Sequence, residues 1–110
     1  MTKIESISNN KASQYARVFD ETNPNWSKNP EQNKLFLKRT QGLLNEVLRH
    51  RGHLFLSAAY NCLGFQCPES YSLIGWNWNE GNGCVDFNID FVNDYASPII
   101  IDFNVDGVIQ

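Results

Sequence analysis

The chain has 110 residues, of which 42% are hydrophobic and 19% charged, and its formal net charge is −3. That length supports one domain with one core, and the composition is typical of a folded globular protein and not of a disordered chain. No run approaches the roughly 18 consecutive apolar residues of a membrane helix, and the N-terminal MTKIESISNN lacks the apolar region of a secretory signal, so we expect a cytoplasmic protein.

Residues 1–28 are polar, and we predict that they form an N-terminal arm. Within them, ASQYARVFDE predicts a short helix that turns Tyr15, Val18 and Phe19 toward the core. The stretch TNPNWSKNP that follows predicts a loop, in which Trp26 is the anchor.

A long helix is predicted over residues 30–51. Asn29 is a suitable N-cap, Pro30 occupies the first helical position, and Gly52 is the expected left-handed stop. The predicted apolar stripe consists of Phe36, Leu43, Leu44, Val47 and Leu48. The predicted polar face consists of Lys34, Lys38, Gln41, Asn45 and Arg49.

After this helix, HLFL predicts a brief extended segment, and SAAYNCL predicts a short second helix that Ser57 caps and Gly64 closes. From Tyr71 onward, apolar and polar residues alternate, which is typical of half-buried strands. The alternating segments are YSLIGWNWN, CVDFNIDF and IIIDFNVD, with a turn at Asn82-Gly83 between the first two. The positions predicted to face inward are Ile74, Trp76, Trp78, Val85, Phe87, Ile89, Phe91, Ile99, Ile101, Phe103 and Val105.

We therefore predict a two-layer α+β fold. A three-stranded antiparallel meander in the C-terminal half packs against one long and one or two short N-terminal helices. The single domain over residues 1–110 then consists of the arm (1–28), a helical part (29–64) and a β-meander (70–107).

Two nearly identical hexamers occur in the chain, VDFNID at 85–90 and IDFNVD at 101–106. The pattern buries the apolar residues and turns only Asp and Asn to the other side, although both are depleted in strands. If the two tracts are antiparallel neighbours, a register that sets Asp86 against Asn104 and Asn88 against Asp102 avoids direct pairs of like charges, so we favour it.

The charges are divided by position. All nine Lys and Arg lie between Lys3 and Arg51, beside five acidic residues, whereas the remaining 59 residues carry seven acidic residues and no Lys or Arg. Such an asymmetry indicates an interaction surface, unless the two halves neutralise each other within the fold.

Three kinds of cation could meet the clustered carboxylates: the basic helix face of the same chain, a metal, or a basic surface of another macromolecule. Asp102–Gly107 (DFNVDG) fits the opening of a calcium loop, but the bidentate Glu at its twelfth position is missing. Cys62, Cys67 and Cys84 are interpreted as reduced thiols, because H-x2-H…C-x4-C matches no common zinc module.

Three segments carry a resemblance to a known family: 36–64, with RGHLFL; 74–79, with GW; and 91–107, which ends in the distinctive IIIDFNVDG. There the chain resembles a family of small uncharacterised proteins of Gram-positive bacteria and their phages and mobile elements. The resemblance implies no catalytic residue or cofactor; it implies a phage or mobile-element accessory protein that acts inside a bacterium.

We predict a non-enzymatic protein without cofactor or metal that binds a basic surface of a bacterial host protein, for example one that handles nucleic acid. Such a protein could be an inhibitor of host defence of the anti-CRISPR type. Direct nucleic-acid binding is not expected of so acidic a chain. The alternatives are a structural protein that self-associates and a hydrolase that uses the Asp cluster with a metal. The predicted partner-binding residues are Asp86, Asn88, Asp90, Asp102, Asn104 and Asp106, and a secondary basic face consists of Lys34, Lys38, Arg49 and Arg51.

Overall fold

The computed structural model describes residues 13–81 and 83–109. Its α+β class is confirmed: two α-helices accompany one antiparallel sheet of three strands and one of two. The strands are β1 (Arg17–Phe19), β2 (His53–Phe55), β3 (Ile74–Asn77), β4 (Ile99–Ile101) and β5 (Gly107–Val108), and the helices are α1 (Pro30–Arg51) and α2 (Leu56–Leu63). A 3₁₀ turn spans Glu69–Tyr71.

Helix α1 has the predicted bounds because both of its ends are specified locally. The side chain of Asn29 accepts a hydrogen bond from the Glu31 amide at 2.9 Å, and Gly52, at φ 82°, donates its amide to the Leu48 carbonyl. The predicted stripe was wrong at Leu43, whose side chain is 56% exposed. The buried stripe is centred one position away and consists of Asn33, Leu37, Thr40, Leu44 and Leu48.

The N-terminal arm differs most from the prediction made from its local sequence pattern. Its predicted helix is wrong within the described range, because Arg17–Phe19 forms β1 and pairs antiparallel with β4. The period of two buries Phe19 and leaves Val18 about half exposed, so the inward prediction for Val18 was wrong as well. The first 12 residues of the arm lie outside the described residues.

The segment after α1 follows its prediction closely. His53–Phe55 is extended as β2, and α2 ends at Gly64, which has φ 92°. Ser57 is not the cap, since α2 begins at Leu56 and Phe55 holds the N-cap position without a side-chain hydrogen bond.

The three-stranded sheet has the order β2-β3-β5, so one of its strands precedes α2 and the sheet draws on both halves of the chain. β4 belongs instead to the two-stranded sheet, and the chain from Ile99 to Val108 passes from one sheet to the other. Within the described residues, no helix combines the length and the apolar character needed to cross a membrane.

The inward positions of β3 and of the two hexameric tracts are mostly confirmed. Those under a tenth exposed are Ile74, Trp76, Val85, Phe87, Ile89, Ile99, Ile101 and Phe103. Val105 is partly buried. Trp78 and Phe91, at 38% and 76% exposed, were predicted wrongly, because each lies just beyond its buried segment, where the chain turns.

Tyr60 ties the arm to the core. It is fully buried on α2, its hydroxyl donates to the Tyr15 carbonyl at 2.6 Å, and the Arg17 guanidinium lies 4.9 Å from its ring centre. Burial raises the pKa of Tyr60 from 10.0 to about 12, and the nearby Arg17 charge opposes that rise.

A pH dependence follows from this raised pKa. The contribution of the neutral phenol to stability is fully present below pH 10 and is lost as pH rises through 12. We expect Tyr60→Phe to remove up to about 2 kcal/mol of this alkaline loss in the free energy of unfolding. Urea unfolding between pH 8 and pH 12 measures it, with Tyr71→Phe as the control; an unchanged pH profile in Tyr60→Phe would contradict the assignment.

Candidate binding surface

We call residues 85–90 the first tract and residues 101–106 the second tract. The first tract was predicted as a strand, and this prediction was wrong: none of its residues lies in a strand, and the chain bends at Asn88 and turns at Asp90. Asn88 has φ 56°, in the left-handed region, and its amide donates to Oδ1 of Asp86 at 2.8 Å. Asp and Asn side chains compete in this way with sheet pairing, and here their local bonds replace it.

Helix α1 supplies the backbone partners that a neighbouring strand would have supplied. Asn45 accepts from the Val85 amide at 2.6 Å and donates to the Val85 carbonyl at 3.0 Å. Gln41 accepts from the Phe87 amide at 2.8 Å. Four helical residues rise about 6 Å and two extended residues about 6.6 Å, so a ladder of amides on α1 matches the spacing of the tract.

The two tracts lie beside each other in the favoured register. The Asn104 amide donates to the Asp86 carbonyl at 3.4 Å, and the Asp102 amide donates to the Phe87 carbonyl at 3.1 Å. The Asn88 side chain donates to the Asp102 carbonyl at 2.6 Å. Asp86 therefore lies against Asn104 and Asn88 against Asp102, as the favoured register predicts, but the tracts are not paired as strands: only Ile101 of the second tract lies in a strand, and the bond from Asp102 to Phe87 is one residue out of that register.

Asn104 joins three segments of the chain. Its Oδ1 accepts from the Trp76 indole at 2.9 Å and from the Asp86 amide at 2.8 Å, and its Nδ2 donates to the Cys84 carbonyl at 3.1 Å. Because Trp76 is fully buried and bonded in this way, it belongs to the core, as predicted.

The carboxylates of the second tract hold neighbouring loops. Asp102 accepts from the Ser13 hydroxyl at 2.7 Å and from the Ser13 amide at 3.1 Å. Asp106 accepts from the Asn77 amide at 2.9 Å, and its carboxylate lies so close to Gly81 that a Cβ atom there would overlap it.

Asp90 is the tract carboxylate that meets a cation within the described residues. Its side chain, 82% exposed, pairs with Lys38 at 3.2 Å. The hydrogen bonds described above for Asp86, Asp102 and Asp106 come from uncharged donors. Within residues 13–81 and 83–109, neither Asp86 nor Asp102 forms an ion pair, so their negative charges have no Lys or Arg partner there.

The residues of the predicted basic face have different surroundings. Lys38 points to Asp90, and Arg49 pairs with Glu46 at 2.7 Å within α1. Arg51 instead lines a groove with His53, Phe55, Ser57 and Asn61, where α1 gives way to β2 and α2. Lys34 is exposed.

The geometry gives no support to a calcium loop. The polar groups of Asp102, Asn104 and Asp106 bond to Ser13, Trp76 and Asn77 respectively, and so they diverge. Across residues 13–81 and 83–109, no group of three or more His, Cys, Asp and Glu side chains is placed to hold a metal. The cysteines are free: Cys62 and Cys84 are exposed and Cys67 is partly buried.

Sequence reasoning missed two features of this surface. Gln41 and Asn45 were assigned only to a polar face, although two amides four residues apart on a helix can bond to the backbone of a neighbouring segment. Ser13, Asn77 and Trp76 were not recognised as partners of the polar tract residues, since no local pattern links them.

These elements define a small α+β protein. Its candidate site is an acidic surface formed by the hydrogen-bonded Asp and Asn side chains of the two tracts. The chain belongs to DUF6353, a family of unknown function whose sequence model matches residues 1–110. Comparison with curated proteins and with solved structures gave no match. The resemblance to an uncharacterised family is thereby supported at the level of the family.

Proposed function

We propose that the protein is a non-enzymatic accessory protein of a phage or mobile element that binds a basic surface of a bacterial protein. The binding surface is the acidic surface formed by the two tracts. The observation that carries the proposal is the unneutralised charge: the acidic half has no Lys or Arg, and within the described residues neither Asp86 nor Asp102 forms an ion pair.

The way the carboxylates are held favours recognition. Asp102 and Asp106 are oriented by hydrogen bonds to distant parts of the chain, and Asp86 by the Asn88 amide within its own tract, so these side chains lose little freedom when a partner binds. A patterned negative surface accelerates association with a positive one and excludes acidic partners.

Aromatic anchors are available beside the charges. Phe91 follows Asp90 directly and is 76% exposed, and Trp78 is 38% exposed. Exposed aromatic side chains supply much of the affinity in protein interfaces, whereas charges set the rate and the specificity.

Bacterial proteins that handle nucleic acid present basic surfaces to phosphates, and an acidic protein competes for such a surface. The partner class that fits best is therefore a nucleic-acid-handling host protein, and in a phage setting the outcome is inhibition of a host defence system. The proposed site of action is the interior of the host cell.

The test changes charge without changing shape. A variant replaces four carboxylates by amides: Asp86→Asn, Asp90→Asn, Asp102→Asn and Asp106→Asn. Asparagine keeps an acceptor oxygen at each position, so the tracts stay in place. We expect the association rate with a partner recovered from host lysate to fall about tenfold or more at low salt, and its salt dependence to flatten.

The matched control makes the same change in net charge elsewhere, with Glu21→Gln, Glu31→Gln, Glu69→Gln and Asp94→Asn. If both quadruple variants bind like the parent, or both lose the same rate, the acidic surface of the tracts is not the binding site.

A further inference from the structure

The outer face of α1, defined as Leu35, Arg39, Gly42, Leu43 and Glu46, has no role in the acidic surface. The core side of the helix is formed by Leu37, Leu44 and Leu48, which are at most 2% exposed. The outer face lies on the other side of the helix, and on it Leu35 and Leu43 are 49% and 56% exposed.

Gly42 lies in the middle of this face, where the fold does not require a glycine. It has no positive φ, and a Cβ atom added to it would meet nothing within 4 Å. A glycine inside a helix costs about 1 kcal/mol relative to alanine. Glycine is also the residue that allows another chain to approach the backbone closely. The missing side chain of Gly42 leaves a notch in the helix surface, and the exposed side chain of Leu43 projects beside it.

We propose that this face pairs with the same face of a second copy of the chain, with the two α1 helices antiparallel across a two-fold axis between Gly42 and Leu43. Leu43 of each copy then packs beside Gly42 of the other. Arg39 faces Glu46 of the second copy, because these two residues are equally far from the midpoint.

Charge complementarity selects a second copy over an unrelated partner. Arg39 and Glu46 have opposite charges at symmetric positions, which is what an isologous interface requires. Within residues 13–81 and 83–109, Arg39 forms no ion pair. Glu46 contacts Arg49 and His50 at 2.7 and 3.8 Å, in both cases through Oε1, so that Oε2 is not used by either of them.

Charge reversal tests the pairing. The substitution Arg39→Glu sets a second carboxylate against Glu46 of the other copy, and Glu46→Arg sets a second guanidinium against Arg39. We expect each single variant to raise the dissociation constant of the dimer about tenfold or more in sedimentation equilibrium. In an equimolar mixture of the two variants, the heterodimer has opposite charges at both symmetric contacts, one as in the parent and one with the two signs exchanged, so we expect the mixture to regain dimerisation. The double variant R39E/E46R exchanges the signs at both contacts and is expected to dimerise like the parent.

The double variant separates a lost interface from a lost fold, because a misfolded chain would not regain association when a second charge is reversed. Lys28→Glu, an exposed charge reversal before the helix, is the control that leaves dimerisation unchanged. Parent protein that stays monomeric up to about 1 mM overturns the proposal, as does a dimer that survives both single variants.

Gly42→Ala gives a second readout. It is expected to raise the melting temperature of the monomer, because alanine favours the helix and its methyl group meets nothing within the chain. The same methyl group fills the notch, so the dissociation constant of the dimer is expected to increase by about tenfold. If Gly42→Ala leaves the dimer as tight as the parent, the close approach at Gly42 is refuted.

Discussion

Phe103→Ala is expected to lower the free energy of unfolding by about 3–5 kcal/mol. Phe103 is 2% exposed, and its ring packs edge-on against those of Tyr60 at 5.1 Å and Phe87 at 5.5 Å. Removing the ring leaves a cavity between the two tracts and α2, which well-packed neighbours fill only in part. Urea denaturation at neutral pH measures the loss.

Phe91→Ala is the matched control for this substitution. Phe91 belongs to the same region of the sequence and was predicted to face inward, but it is 76% exposed. We expect it to change the free energy of unfolding by about 0.5 kcal/mol at most. Equal losses at Phe103 and Phe91 would contradict the orientation of the tracts.

The second large effect is expected at Asn45. Asn45→Ala removes both partners of Val85, a residue that is 1% exposed, and leaves its amide and its carbonyl without the helix side chain. We expect a loss of about 2–3 kcal/mol, since an unsatisfied buried polar group costs about 1–3 kcal/mol. Hydrogen exchange at the Val85 amide should accelerate along with the loss of stability.

Substitutions of Gln41 test whether a hydrogen bond from α1, and not packing of the side chain, stabilises the first tract. Oε1 of Gln41 accepts from the Phe87 amide, and glutamate offers an oxygen at the same place. Gln41→Glu is therefore expected to stay close to the parent, whereas Gln41→Ala loses about 1–2 kcal/mol. If the two variants are equally destabilised, packing of the side chain stabilises the first tract and its acceptor oxygen does not.

The acidic surface was only partly predictable. The alternation of the hexamers correctly indicated buried Phe87 and Phe103, and the repulsion between like charges correctly favoured the pairing of Asp86 with Asn104. The strand character of the first tract was wrong, because Asn88 enters the left-handed region and α1 takes the place of a neighbouring strand. Periodicity reports which side chains are buried, and it does not report which groups satisfy the backbone.

The parts of this protein with local causes can be read from its sequence. Helix α1 begins at an Asn cap and ends at a left-handed Gly, so its bounds depend on contacts within a few residues. The alternation of apolar residues and the separation of charge between the two halves can likewise be read directly from the sequence. Long-range pairing is different: β1 becomes a strand because β4 lies beside it, and Asp90 meets Lys38 because the first tract docks on α1. Those partners are distant in the chain, and their contacts stabilise a conformation that local preference alone does not select.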